Sequence, residues 1–206
     1  RPPQHEGCDE LTMNTAKREQ NQVIPPGNPS IVIIGAGFAG ITLALRLTRA
    51  GFDRVLIVEK GDGVGGVWRE NTYPGAACDV PSQLYSISSA PNPRWGRRYA
   101  EQGDILAYLR RVADESGLLS LLRTKTEIAK AAFDERTNTW RLTTTTSQEL
   151  ECDVVISAVG QLSRPSVPDI PGISGFAGPS NMSALASMPE AWSCLTMPAM
   201  SSSVIV

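Results

Sequence analysis

Ile31-Val-Ile-Ile-Gly35-Ala-Gly37-Phe-Ala-Gly40-Ile-Thr-Leu-Ala-Leu-Arg-Leu-Thr-Arg-Ala-Gly51-Phe-Asp-Arg-Val55-Leu-Ile-Val-Glu59 is the stretch that decides the fold. Ile31 to Ile34 is a short, continuous, β-branched apolar run, the pattern of a strand buried on both faces of a parallel sheet. From Phe38 to Ala50 the apolar residues Ile41, Leu43, Ala44, Leu45 and Leu47 recur at helical spacing, and Gly51 can close that helix. Val55 to Val58 repeats the buried-strand pattern and ends in the acid Glu59. A βαβ unit is thereby written in fewer than thirty residues, and its crossover is expected to be right-handed.

Downstream, residues 61–100 are rich in Gly, Pro and Ser without a sustained period. So long an irregular segment in a compact domain is usually functional or disordered, and Trp68, Tyr73, Tyr85 and Trp95 argue against disorder. Ile105, Tyr108, Leu109, Val112 and Ala113 predict a helix over Gly103–Ser116, with Asp104 at its positive end and Gly117 as its cap. Ile128–Phe133, Thr139–Thr146 and Leu150–Cys152, separated by turn residues, predict an antiparallel meander. Val154–Ala158 returns to the buried-strand pattern. The fold class is α/β: a Rossmann-type parallel sheet with an inserted antiparallel β-meander. Residues 1–29 are expected to be a disordered lead-in, 30–180 the domain, and 181–206 an irregular tail.

With 206 residues, at roughly 100–200 per domain, the chain holds one domain or one and part of another. Its formal charge of −2 offers no positive field for a phosphate backbone, so nucleic acid is not the expected partner. Cys8, Cys78, Cys152 and Cys194 are too scattered for a zinc or redox motif and too few for a disulfide framework; they read as reduced thiols in a cytoplasmic protein. His5 is the only histidine and leaves no basis for histidine-centred catalysis, and no metal site is expected. Ile31–Leu45 is 15 residues long and contains three glycines, short of the roughly 20 apolar residues that cross a bilayer.

Gly35-Ala36-Gly37-Phe38-Ala39-Gly40 stands where the first strand meets the first helix, and Glu59 follows Gly40 by 19 residues at the end of the next strand. That context raises a weak motif to a dinucleotide-binding signature. Gly35 permits a tight turn, Gly37 lets amides approach a pyrophosphate, and Gly40 lets helix and strand pack closely. The helix end supplies partial positive charge. Glu59 can accept both ribose hydroxyls, a geometry that repels a 2′-phosphate, so the cofactor is expected to be FAD or NAD rather than NADP.

The run from Lys60 to Tyr85 separates those two. Gly65, Gly66, Trp68, Tyr73, Pro74, Gly75, Asp79 and Tyr85 follow the spacing G-G-x-W, Y-P-G, Asp and aromatic, which resembles the FAD domain of the Baeyer–Villiger and related class B flavin monooxygenases. Gly66, Trp68, Asp79 and Tyr85 are read as surrounding the flavin ring, with Val67 among the cofactor-site candidates, and Asp79 puts a carboxylate in an apolar, glycine-rich setting. The resemblance implies that the aspartate at this place lies beside the flavin and a mobile arginine from a later domain, which makes Asp79 the candidate catalytic residue. Ala158-Val-Gly160 followed by Leu162-Ser-Arg-Pro165 is similar to the family's A-T-G and L-S-x-P segment that contacts the cofactor, with Val159 in place of the usual Thr. Thr126-Glu-Ile128 resembles the segment whose backbone meets adenine, so Ile128 joins the cofactor-site candidates with Lys60, Ala158 and Gly160.

What the resemblance implies is an FAD-dependent, NADPH-using monooxygenase. It would take a small-molecule substrate and O2, inserting oxygen into a ketone or oxidising a soft heteroatom. The family's next fingerprint, F-x-G-x-x-x-H-x-x-x-W, is met by Phe176 and Gly178, but Met182 stands at the His place and Ala186 at the Trp place, and the resemblance stops there. A truncated parent enzyme, with the NADPH site outside this chain, is therefore expected. The alternatives are a catalytically incomplete FAD-binding fragment and another flavin-dependent oxidoreductase. A flavin disulfide reductase would need a second cysteine close to Cys78.

Overall fold

A computed structural model of the chain describes residues 27–162, with Pro171, Gly172, Gly175 and Ala177 beyond them. The lead-in up to residue 26, residues 163–170, Phe176, Gly178 and the tail from Asn181 lie outside the described residues.

The βαβ unit forms as its sequence predicts. Strand β1 (Ile31–Ile34) leads through helix α1 (Phe38–Arg49) to β2 (Val55–Val58), and the two strands pair in parallel from Ile31↔Val55 to Ile34↔Val58. A four-residue helix, α2 (Val67–Glu70), follows inside the glycine-rich stretch, and α3 (Gln102–Glu115) comes next. Asp104 lies in the first turn of α3 as expected, but its N-cap is Glu101, whose side chain makes no capping bond. Gly117 takes the left-handed conformation, φ 69°, at the other end. A single 3-10 turn, Leu118–Leu121, delivers the two-residue strand β3 (Leu122–Arg123), too short to show a period in the sequence.

The meander is β4 (Ile128–Asp134), β5 (Thr139–Thr144) and β6 (Glu149–Cys152), and β7 (Val154–Ser157) then rejoins the parallel sheet beside β1. The parallel sheet has the order β3-β2-β1-β7, and β4-β5-β6 form a separate antiparallel sheet. The chain moves outward from β1 to β3 on one side and returns to the other side of β1 with β7. Such a reversal is where open α/β sheets hold ligands, at the carboxyl ends of the strands.

The parallel strands read as unbroken apolar runs because both faces are covered. Ile31, Ile33, Ile57 and Ile156 face α1 and α3, joining Ile41, Ala44, Leu45, Ile105, Leu109 and Val112 in the larger core. Val32, Ile34, Val58 and Val155 point the other way and pack on Trp140, Leu142 and Cys152 of the meander. Alternation along a strand thus splits each run between two cores.

The long loop between α2 and α3 is pinned by α3 and by bonds of its own. The Tyr108 hydroxyl donates to the Ala90 carbonyl at 2.8 Å and accepts from the Ile87 amide at 2.8 Å. Ser82 bonds the Arg97 and Arg98 carbonyls, and Trp95 donates to Ser86 at 3.0 Å. The ordered aromatics of this segment match its sequence reading.

Candidate functional site

The glycine loop is a close-packed cradle. A Cβ added at Gly40 would lie 1.9 Å from the Gly35 carbonyl oxygen, and one at Gly35 would lie 2.5 Å from the Ala158 carbonyl oxygen. Gly35 itself turns at φ 110°, a conformation open to glycine and strained for other residues. A Cβ at Gly66 would meet Gly37 Cα at 2.9 Å, and the Gly65 amide donates to the Ala36 carbonyl at 2.9 Å. The first glycine loop, the second glycine loop and the end of β7 therefore meet at the carboxyl ends of β1, β2 and β7.

Helix α1 opens into this cradle with Gly37 at its N-cap, no capping side chain and no acid in its first turn. First-turn amides of a helix have no intrahelical acceptor, so those of Phe38, Ala39 and Gly40 are available to an anion, reinforced by the helix dipole. Ala36 differs from its neighbours: it is fully buried, its carbonyl is engaged by Gly65, and its amide donates to Glu59 Oε2 at 2.8 Å. It ties the loop down, and both of its backbone groups are already committed.

Glu59 is 4% exposed. Oε1 accepts from the Gly61 amide at 2.8 Å and from Arg69 Nη2 at 3.1 Å. An ionised carboxylate offers about four lone-pair sites, so three donors leave room for about one more. Oε1 is engaged by two of the chain's own donors and Oε2 by one, so the remaining capacity for a sugar hydroxyl is on Oε2. Arg69 was not singled out by the sequence. Its nearest signal is that it follows Trp68 in a loop carrying Asp62 and Glu70, with which it also pairs. Lys60 points to Glu70 at 3.7 Å.

Phe38, Trp68 and Tyr85 form an aromatic group beside the start of α1. Ring centroids of Phe38 and Tyr85 are 4.8 Å apart, and those of Trp68 and Tyr85 are 5.7 Å apart, edge to face. Trp68 Nε1 donates to the Tyr85 hydroxyl at 3.0 Å, which leaves the phenolic proton free to donate elsewhere. Burial raises the Tyr85 pKa, the bond from Trp68 lowers it, and Cys78 and Asp79 raise it further, so the phenol holds its proton at neutral pH. Asp79 is exposed, in contrast to the apolar setting expected of it. The cause is alternation along residues 76–79, which turns Ala76 and Cys78 into the core and Asp79 outward.

Of the remaining candidates, Ala158 lies against Gly35, its amide bonded to Ile34 at 2.8 Å. Gly160 follows at φ 72° on the exposed side. Val67 is the first residue of α2. Ile128 begins β4 and packs its side chain on the meander core. The strands beside Glu59 are instead bridged by Thr126, whose amide bonds the Glu59 carbonyl at 2.9 Å, and Lys125, whose amide bonds that of Gly61 at 2.7 Å. Among the described residues no cluster of His, Cys, Asp or Glu could hold a metal ion, and no helix is long and apolar enough to cross a membrane.

Comparison with known proteins agrees with this geometry. The family described as pyridine nucleotide-disulphide oxidoreductase matches residues 32–187. A Baeyer–Villiger monooxygenase of Streptomyces coelicolor is 48% identical over 137 residues, 66% of this chain and 26% of that protein. One from Pseudomonas aeruginosa is 44% identical over 136 residues, again 66% of this chain and 26% of that protein. Among solved structures, OTEMO in complex with FAD and NADP superposes with a TM-score of 0.65 at 35% identity, covering 72% of this chain and 29% of that one. Oxidized steroid monooxygenase bound to NADP gives 0.64 at 37% identity, covering 71% and 28%. The chain thus spans about a quarter of the length of the curated relatives it matches. It belongs to the pyridine nucleotide-disulphide oxidoreductase family, in which the relatives it resembles are flavin monooxygenases of Baeyer–Villiger type.

Proposed function

We propose that the chain binds FAD and forms the flavin-binding portion of an NADPH-using monooxygenase. The whole protein would insert oxygen into a ketone or oxidise a soft heteroatom in a small-molecule substrate. The observation that carries the reading is the cradle: glycines whose missing Cβ atoms permit backbone contact between three loops, beneath an uncapped, acid-free helix start, with a buried carboxylate alongside. Those donors and that acceptor suit a diphosphate and a ribose.

FAD, when bound, supplies the two-electron chemistry with NADPH and O2. The chain's own residues bind and orient it. The Phe38, Ala39 and Gly40 amides hold the diphosphate, Oε2 of Glu59 accepts from the sugar, and Ala158 and Gly66 let the backbone lie close. Trp68 and Tyr85 wall the ring end and exclude water, Tyr85 keeping a proton to donate. Asp79, on the same loop as Tyr85, presents a carboxylate to a cationic partner from elsewhere in the protein. The described thiols, Cys78 and Cys152, are both free and buried, and they sit in different cores, so a dithiol–disulfide reaction between them is not the proposed chemistry. A cytoplasmic location is part of the same proposal.

The purified chain should be yellow, or become so on reconstitution with FAD. NADPH added anaerobically separates a reducible flavoprotein, which bleaches, from a flavin-binding fragment, which does not. A colourless preparation that FAD cannot reconstitute defeats the reading.

A further inference from the structure

Arg69 is held more tightly than an arginine in a surface loop needs to be. Its side chain is 12% exposed, with Nη2 at 3.1 Å from Glu59 Oε1 and 3.3 Å from Glu70 Oε1, and Nε at 3.7 Å from Asp62 Oδ1. Nη1 donates to the Gly63 carbonyl. The guanidinium packs on Gly61, where an added Cβ would come within 2.1 Å of Nη2. One cation is therefore enclosed by three carboxylates and a carbonyl, a set of acceptors that the fork of a guanidinium reaches and a single ammonium does not.

The consequence falls on Glu59. Its carboxylate is fixed by three donors, the amides of Ala36 and Gly61 and the guanidinium of Arg69. Arg69 is the only one of them that carries charge. Without it, a carboxylate 4% exposed would face Glu70 across the vacated space, with the nearby Lys60 paired to Glu70 instead, and a buried carboxylate that has lost its one charged donor swings out. That movement removes the acceptor that a sugar hydroxyl would use.

We propose that Arg69 is a positioning residue that sets the ribose selectivity of this site, holding the Glu59 carboxylate oriented with a lone pair of Oε2 left for a sugar hydroxyl. The inference rests on the dinucleotide reading above and deepens it. Arg69 is not required to touch the nucleotide; it acts through Glu59.

The test compares the full chain with its Arg69→Gln and Arg69→Lys variants, using FAD, ADP and 2′-deoxyADP as probes. FAD affinity is read from flavin fluorescence and the two diphosphates from competition, with circular dichroism to confirm folding. A hydrogen bond to a charged acceptor implies that the wild-type chain prefers ADP over 2′-deoxyADP by about tenfold. In R69Q that ratio should fall to within about twofold, and R69K should lie between. A purely structural role would weaken all three ligands in parallel and leave the ratio unchanged, which overturns the proposal. If R69Q does not fold, R69K decides: a reduced ratio supports the proposal and a wild-type ratio overturns it. A wild-type chain that binds FAD yet does not distinguish the two diphosphates overturns this inference and leaves FAD binding standing, whereas a chain that binds no FAD removes both.

Discussion

Replacing Gly40 by Ala should destabilise the fold although the position is helical. In the first turn of a helix, Gly→Ala ordinarily gains up to about 1 kcal/mol from propensity. At Gly40 the new methyl would lie 1.9 Å from the Gly35 carbonyl oxygen. A close C···O contact is about 3.3 Å, so α1 and β1 must part by roughly 1.4 Å. The obstacle is backbone, which has no rotamer to escape into, so an overpacking cost near the upper end of about 1–3 kcal/mol applies. The net loss is about 2 kcal/mol, a fall in Tm of roughly 4–8 °C for a domain of this size. The same displacement carries the Phe38 and Ala39 amides away from the glycine loop, so FAD affinity should drop with stability. Gly103→Ala is the matched control. It lies in the first turn of α3 with nothing within 4 Å of its Cβ position, and should raise Tm slightly with FAD affinity unchanged. Thermal melts and flavin fluorescence titrations on both variants settle the matter. A Gly40→Ala protein that melts higher, as the control does, and binds FAD like the parent would refute the close-approach argument.

Tyr108→Phe removes a hydroxyl that joins the Ile87 amide and the Ala90 carbonyl. With the buried Ile87 amide left unpaired and the part-buried Ala90 carbonyl left to water, stability should fall by about 1–3 kcal/mol in denaturant melts; a change below a few tenths would mean that the loop finds other partners. Burial, with the neighbouring Asp153 charge, pushes the Cys152 thiol up to about 11. Iodoacetamide at pH 8 should therefore leave Cys152 unmodified in the folded chain and label it after denaturation, as read by peptide mass spectrometry. The Ser30 amide and hydroxyl hold the Asp153 carboxyl below its ordinary value of 3.8. Because the folded value is the lower one, the stability contributed is complete above the ordinary aspartate range and is lost as pH falls through the folded value. Asp153→Asn should thus flatten the acid limb of a stability–pH curve, and an unchanged limb would count against the pairing.

The parts of the fold that were legible share a physical property: each is written in consecutive residues. The run Ile31–Ile34 announces a strand buried on both faces because both covers, helices on one side and meander on the other, demand apolar side chains at every position. The spacing of Ile105, Tyr108, Leu109 and Val112 announces α3 because one stripe faces the core. Strand β3 was missed because Leu122 and Arg123 carry no period. It exists through its pairing with Ile57 and Val58, a tertiary gain that outweighs weak local preference. Helix α2 was missed in the same way, with Gly66 at its N-cap and only four residues.

At the site, the glycines were legible because their chemistry is an absence of side chain, and the spacing of such absences survives in the sequence. The charges around Glu59 were not. Arg69 reaches Glu59 from ten positions away through a fold-back that places α2 beside the end of β2, and no helical or strand period links the two. Asp79 failed for the opposite reason. Its neighbours in sequence are apolar and glycine-rich, but an extended backbone sends adjacent side chains to opposite sides, so Cys78 takes the buried place and Asp79 the open one. A carboxylate's surroundings are set by where its side chain points. A local composition argument therefore fails wherever the backbone is extended, even where the residues two positions to either side, here Ala77 and Pro81, are themselves apolar.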